Sequence, residues 1–125
     1  MASLIGIDFV GIQADDLEAA KDFYHGKLGL PIIKGPPDAV VFDGKPAPFA
    51  VRKPLSDLSA ANEYLGAGVA LWFACDDADA LHAELARDQV AIVFPPKDGP
   101  FGRYFAFRDP FGYTITAHTA ISQDS

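Results

Sequence analysis

Two stretches 61 residues apart begin the same way, and this repeat constrains the fold more than any other feature. Asp16-Leu17-Glu18 and Asp77-Ala78-Asp79 each put a capping carboxylate ahead of an apolar helical stripe. Superposing the caps places Phe9 on Ala70, Leu17 on Ala78, Ala20 on Leu81 and Tyr24 on Leu85. Around each cap the pattern reads strand–helix–strand–strand–strand. An internal repeat of this size implies two similar units, each too small to bury a comfortable core alone.

The 125 residues are read as a single domain, with module one at about 4–53, a connector at 54–67 and module two at about 68–120. In module one, alternation predicts a strand over Leu4–Gln13 and helical spacing predicts a helix over Leu17–Leu28, closed by Gly29. Pro31–Lys34 reads as a short strand. Ala39–Phe42 and Pro46–Arg52 read as a hairpin around Asp43-Gly44, and Pro46 and Pro48 imply an edge strand. In the connector, Ser56 is placed to cap a short helix through Tyr64. Module two reads as a strand over Val69–Cys75, a helix, a strand over Ala91–Phe94, a loop over Pro95–Pro100, and a final hairpin.

That hairpin, Gly102–His118, is the best-determined part of the chain. Within Asp109-Pro110-Phe111-Gly112, Asp caps a type I turn, Pro presets φ and Gly supplies a positive φ. A three-residue loop with a Gly bulge pairs Asp109 with Tyr113, Arg108 with Thr114, Ala106 with Thr116 and Tyr104 with His118. One face then carries Tyr104, Ala106, Arg108, Thr114, Thr116 and His118. The other carries Phe105, Phe107, Ile115 and Ala117, and is core.

Half the residues are hydrophobic, including ten Phe, four Tyr and one Trp, as a globular chain requires. No apolar run approaches the roughly 20 residues of a membrane span, and no signal peptide is expected. The single cysteine, Cys75, excludes an internal disulfide and fits a reducing, cytoplasmic setting. The net charge of −7 serves solubility or draws a cationic small ligand, and it argues against nucleic acid.

The chain resembles the vicinal oxygen chelate superfamily, the glyoxalase, bleomycin-resistance and extradiol-dioxygenase group. The residues that carry the likeness are Asp16-Leu17-Glu18, Phe23-Tyr24, Leu28-Gly29-Leu30-Pro31, Asp76–Leu81 and Gly102–Gly112. The resemblance implies an α+β fold: two βαβββ modules forming a cup-shaped mixed sheet with helices outside. It also implies a homodimer. Family enzymes hold a divalent metal through a His on the first strand, a His or Gln on the fifth and a Glu on the eighth. The first lies seven residues before the helix-capping Asp and the third seven after the turn Asp. Those positions here are Phe9, Ala70 and Thr116. Phe and Ala have no donor atom, and Thr is a poor ligand without carboxylates beside it.

The expectation is therefore a binding protein with no metal and no cofactor, one that sequesters a small aromatic or hydrophobic molecule as bleomycin-resistance proteins do. The expected ligand is aromatic, cationic or both, with neither nucleic acid nor membrane as partner. Its expected lining is Phe9, Gln13, Trp72, Tyr104, Ala106, Arg108, Thr114, Thr116 and His118. The alternatives are an enzyme (a lyase, isomerase or dioxygenase-like family member) with an atypical site around His118, Tyr104 and Gln13, and a degenerate scaffold whose cup mediates only dimerisation; the lining residues Phe9 and Trp72 could also simply fill a collapsed cup. His25 and His82 fall on helices and are expected to face solvent. Cys75 has the parity of the helix layer and reads as inert packing.

Overall fold

The computed structural model describes residues 2–5, 7–55 and 66–119. The chain divides into two compact units, 1–60 and 61–125.

In the first unit, strand β1 (Val10–Gln13) leads to helix α1, which starts at Leu17–Ala20 and continues as a wider π-type helix over Lys21–Lys27. Asp16 is its N-cap: the carboxylate accepts from the Ala19 N–H at 3.0 Å. The wide turn shows in a Leu28 N–H that donates five residues back, to the Phe23 carbonyl at 3.0 Å. Gly29, at φ +80°, closes the helix. Strands β2 (Ile32–Ile33), β3 (Ala39–Phe42) and β4 (Phe49–Arg52) follow, in the sheet order β1-β4-β3-β2. The β1–β4 pair is parallel and the other pairs antiparallel. One face packs Phe42, Phe49 and Val51 under Phe23 and Tyr24, with the Tyr24 ring 4.9 Å from that of Phe49.

Three features differ from the sequence reading. Strand β1 begins at Val10, not Leu4, because its partner begins at Phe49. Pro46 and Pro48 have no N–H to extend that ladder. For the same reason the β3–β4 connection is a six-residue loop over 43–48, not a tight turn at Asp43-Gly44. The prolines lie in this loop rather than in the strand, so β4 pairs on both sides and is an inner strand. The connector helix predicted from Ser56 to Tyr64 lies outside the described residues.

The second unit repeats the plan with strand β5 (Leu71–Cys75), helix α2 (Ala78–Arg87), and strands β6 (Ile92–Gly99), β7 (Gly102–Arg108) and β8 (Thr114–Thr119). Its order, β5-β8-β7-β6, is that of the first sheet, again with one parallel pair, β5–β8. Asp77 caps α2 as Asp16 caps α1, accepting from the Ala80 N–H at 3.1 Å. Helix α2 lies against β6, β7 and β8, over a buried layer of Phe105, Phe107, Ile115, Ala117 and its own Leu85. Each module is thus a four-stranded mixed sheet in βαβββ order, an α+β fold.

The final hairpin has the expected register throughout, from Tyr104 opposite His118 to Arg108 opposite Thr114. The buried Asp109 carboxylate accepts from Phe111 and Tyr113 N–H, both at 2.9 Å, and Gly112 sits at φ +97°. The strand reading fails at one place in this module: Pro95–Gly99 is strand, not loop. Strand β6 is the outer strand of its sheet, where prolines cost few ladder bonds, and its register is irregular around them. The turn therefore moves out to Pro100-Phe101.

Candidate functional site

Strand parity builds the site. In β5, the side chains alternate with Leu71, Phe73 and Cys75 half-buried and Trp72 and Ala74 exposed. Cross-strand register carries the Trp72 face across the sheet. Trp72 sits beside Thr116, Thr116 opposite Ala106, and Ala106 opposite Phe94. One step along, Ala74 sits beside His118, His118 opposite Tyr104, and Tyr104 opposite Lys97. This is the face turned away from the Phe105–Ile115 core layer.

Aromatic rings cluster on it. Trp72 stacks on Tyr104 at 5.3 Å between centroids and 24° between planes. Phe101 meets Trp72 edge-on at 6.0 Å, and His118 lies tilted beside it at 5.9 Å. Phe94 meets Tyr104 edge-on at 5.5 Å. The Lys97 ammonium rides 4.4 Å above the centre of Phe94 and 5.5 Å from that of Tyr104, within cation–π range. Despite these neighbours Trp72 remains 44 % exposed and Phe101 59 %. Indole surface left in water is unfavourable by roughly 25 cal/mol per Å², which makes the cluster a platform suited to a flat apolar partner.

Polar groups frame the platform. His118 Nδ1 donates to the Phe101 carbonyl at 3.1 Å, which leaves Nε2 as the acceptor nitrogen of the neutral ring. That bond also folds the Pro100-Phe101 turn back toward Trp72. Tyr104 lies flat because Gly99 has no side chain: a Cβ there would overlap the phenol ring. On the opposite face, Arg103 forks onto Asp79 of α2 at 3.2 Å and reaches Asp98 at 3.3 Å, tying the helix to the β6–β7 tip. The Asp79 hydrogen bond is the main reason the Arg103 guanidinium holds its proton still more firmly than usual. Burial and then the Asp76 charge push the Cys75 thiol above its ordinary value, so it is a poor nucleophile at neutral pH.

The structure brings Trp72, Tyr104, Ala106, Thr116 and His118 together with Thr114 and Arg108 on one face of the second sheet. Ala106 is only 1 % exposed and forms floor rather than rim. Arg108 is exposed and donates to the Gly112 carbonyl at 3.3 Å, so its head is steered toward the turn. Phe9 and Gln13 belong to the first unit. Phe9 is 54 % exposed, with its ring packed over Gly11. The Gln13 side-chain carbonyl accepts from the Leu55 N–H at 2.9 Å and pins the chain leaving β4. His25, on α1, is exposed and bonds its own chain at Leu30 O, 2.8 Å away. His82, expected to face solvent, is half-buried. It packs edge-on to Phe105 at 5.4 Å, because the helix rests on that strand.

The family's metal positions do not suit a metal. Phe9 and Ala70 offer no donor, and the Thr116 hydroxyl has only Trp72 and Ala106 beside it in register. Among the described residues, no three His, Cys, Asp or Glu side chains lie close enough to hold one.

Sequence reasoning missed Phe94, Lys97, Gly99 and Phe101. Phe94 lies in the strand read over Ala91–Phe94 but was not assigned to this face, and the other three depend on β6 running past Pro95 and Pro96. The signal was present: prolines are tolerated on an outer strand, and Val93 to Gly99 then places Lys97 beside Tyr104.

A model of the Glyoxalase/Bleomycin resistance protein/Dioxygenase superfamily matches residues 6–116, across both units. Solved structures agree. The chain is similar to UcmS2, with 23 % identity, a TM-score of 0.73, and 92 % of this chain and 98 % of that one covered. It is similar to a lactoylglutathione lyase from Agrobacterium tumefaciens, at 20 % identity and TM-score 0.65, over 92 % and 93 % of the chains. It is also similar to a bleomycin-binding protein from Streptomyces verticillus, solved with copper(II)-bleomycin, at 25 % identity and TM-score 0.65, over 97 % and 100 %. No curated protein matches the sequence.

Proposed function

The chain belongs to the Glyoxalase/Bleomycin resistance protein/Dioxygenase superfamily, and on that premise we propose that it binds a small aromatic molecule without a metal, in the manner of an antibiotic-sequestering protein. The observation that carries this reading is the half-exposed Trp72 stacked on Tyr104, with Phe101 beside it. Flat rings presented on a rigid strand face give stacking area at little entropic cost. The likeness to a bleomycin-binding protein supports the same class of role. On this reading the protein works as a homodimer in the cytoplasm, where its free thiol stays reduced.

Trp72 is the only tryptophan, so its emission reports the platform directly. Titration with a panel of aromatic antibiotics and metabolites, bleomycin included, is expected to give a saturable change for at least one member. A flat response across the panel overturns the reading. A stoichiometric divalent ion in protein purified without chelator overturns its metal-free part.

One observation favours a second reading, an enzyme of the same superfamily. The Phe101 carbonyl fixes the His118 tautomer and aims a basic nitrogen away from the turn. His118→Gln would then abolish turnover of a bound compound while leaving its Trp72 signal. Under the binding reading there is no turnover to lose.

A further inference from the structure

The charged side chains on the platform are opposite in sign to the net charge of the chain. Acidic residues outnumber basic ones by 17 to 10, and the net charge of −7 suggests a taste for cations. Yet the side chains that β5, β6, β7 and β8 place on the Trp72 face include Lys97 and Arg108 and no carboxylate. The nearest acids go elsewhere: Asp98 lies on the opposite face with Arg103, and Asp79 is on the helix. The Lys97 ammonium lies over the rings of Phe94 and Tyr104, and among the described residues it pairs with no carboxylate. Its neighbour along the face, Tyr104, is itself stacked on Trp72. Successive steps of 5.3 and 5.5 Å put the ammonium no more than about 11 Å from the indole centre.

We propose that the platform selects an aromatic anion: a molecule whose ring lies on Trp72 and whose carboxylate, or group of like charge, reaches Lys97. This rests on the binding reading above and sharpens it. A cationic ligand would meet Lys97 and Arg108 with no acid on the face to offset them. A neutral one would leave the ammonium's charge unused. An arylalkanoate matches both the ring stack and the distance to the ammonium.

Three isosteric probes test this: 3-phenylpropanoate, 3-phenylpropanamide and 3-phenylpropylammonium, followed by Trp72 emission under tryptophan-selective excitation. The acid is expected to bind about fivefold more tightly than the amide, and the amine more weakly than either. Lys97→Met keeps the apolar stem and is expected to bring the acid-to-amide ratio toward one, whereas Lys97→Arg keeps it. Circular dichroism confirms that each variant folds. An amine that binds as tightly as the acid, or an acid preference that survives Lys97→Met, overturns the proposal and leaves aromatic binding standing. Failure of all three probes to move the Trp72 signal, at concentrations up to their solubility, overturns the proposal, while the binding reading stands or falls with the aromatic panel above.

Discussion

The two modules share a topology and differ in what they do with one face of it. Shifted by 61 residues, Gly11 of β1 corresponds to Trp72 of β5. In the first module the bare glycine lies under a ring from the residue just before its strand, with an added Cβ falling 3.4 Å from Phe9 Cε1. In the second, the large residue is at the glycine's position and its ring is met by Tyr104 from another strand. The outer strands diverge more. Strand β2 has two residues and β6 has eight. The longer strand supplies Phe94 and Lys97, and its far end supplies the Phe101 turn. Among the described residues, both modules carry the buried core and the Asp caps, and the aromatic cluster lies in the second.

The largest test of the shared core uses equivalent positions. Tyr24 and Leu85 are both fully buried. Tyr24→Ala is expected to cost about 4 kcal/mol and Leu85→Ala about 3 kcal/mol, measured by urea denaturation. A cost below about 1 kcal/mol for either would break the equivalence of the two cores.

Next comes a feature only the second module possesses. Asp109→Ala strips the buried acceptor from two backbone N–H groups, and a loss of about 2–3 kcal/mol is expected. The first module offers no counterpart, since its β3–β4 loop at 43–48 is built differently. The Trp72 emission should change with it, because the turn sets the register that places Tyr104 and His118.

The caps should behave alike. Asp16→Ala and Asp77→Ala each remove one side-chain bond to the first helical turn, at 3.0 and 3.1 Å, and each is expected to cost about 1 kcal/mol in thermal denaturation. A markedly unequal pair would mean that the π-type helix in the first module anchors itself by other means.

The smallest effect concerns Cys75, whose counterpart in the first module is the buried Ala14. Burial raises its pKa, so less thiolate is present at neutral pH than for a free thiol. Alkylation by iodoacetamide should be several-fold slower than for free cysteine near pH 8, the gap narrowing as pH climbs past 9.0. The folded thiol holds its proton to higher pH than the unfolded one. Any stability it contributes is therefore complete below pH 9.0 and fades as pH rises through the raised folded value. Cys75→Ala, which makes the second module resemble the first, should leave the Trp72 signal intact.

The repeat, both helix caps and the register of the last hairpin were legible because each rests on local chemistry. An Asp before a helical stripe, or an Asp-Pro-x-Gly turn, specifies its own geometry. The site was half legible for the same reason: Trp72, Tyr104, Thr116 and His118 follow from strand parity and one turn. Lys97 and Phe101 did not, because Pro95-Pro96 is a loop signal by propensity and becomes strand only where the sheet leaves that edge open. Pro46 and Pro48 misled in the opposite sense, implying an edge for a strand that turns out to be central. Proline marks where a donor is missing. Whether the gap falls in a loop or along an edge is decided by neighbours far away in sequence.

Strand β6 carries one more consequence. An eight-residue outer strand with apolar side chains such as Val93, itself 46 % exposed, is a template on which other chains could add themselves indefinitely. Pro95 and Pro96 remove two donors from its middle, Lys97 adds a charge, and the irregular register bends the edge out of line. The same residues that carry the strand far enough to build the platform also keep it from seeding aggregates, so replacing Pro95 and Pro96 with Val should trade solubility for a straighter edge.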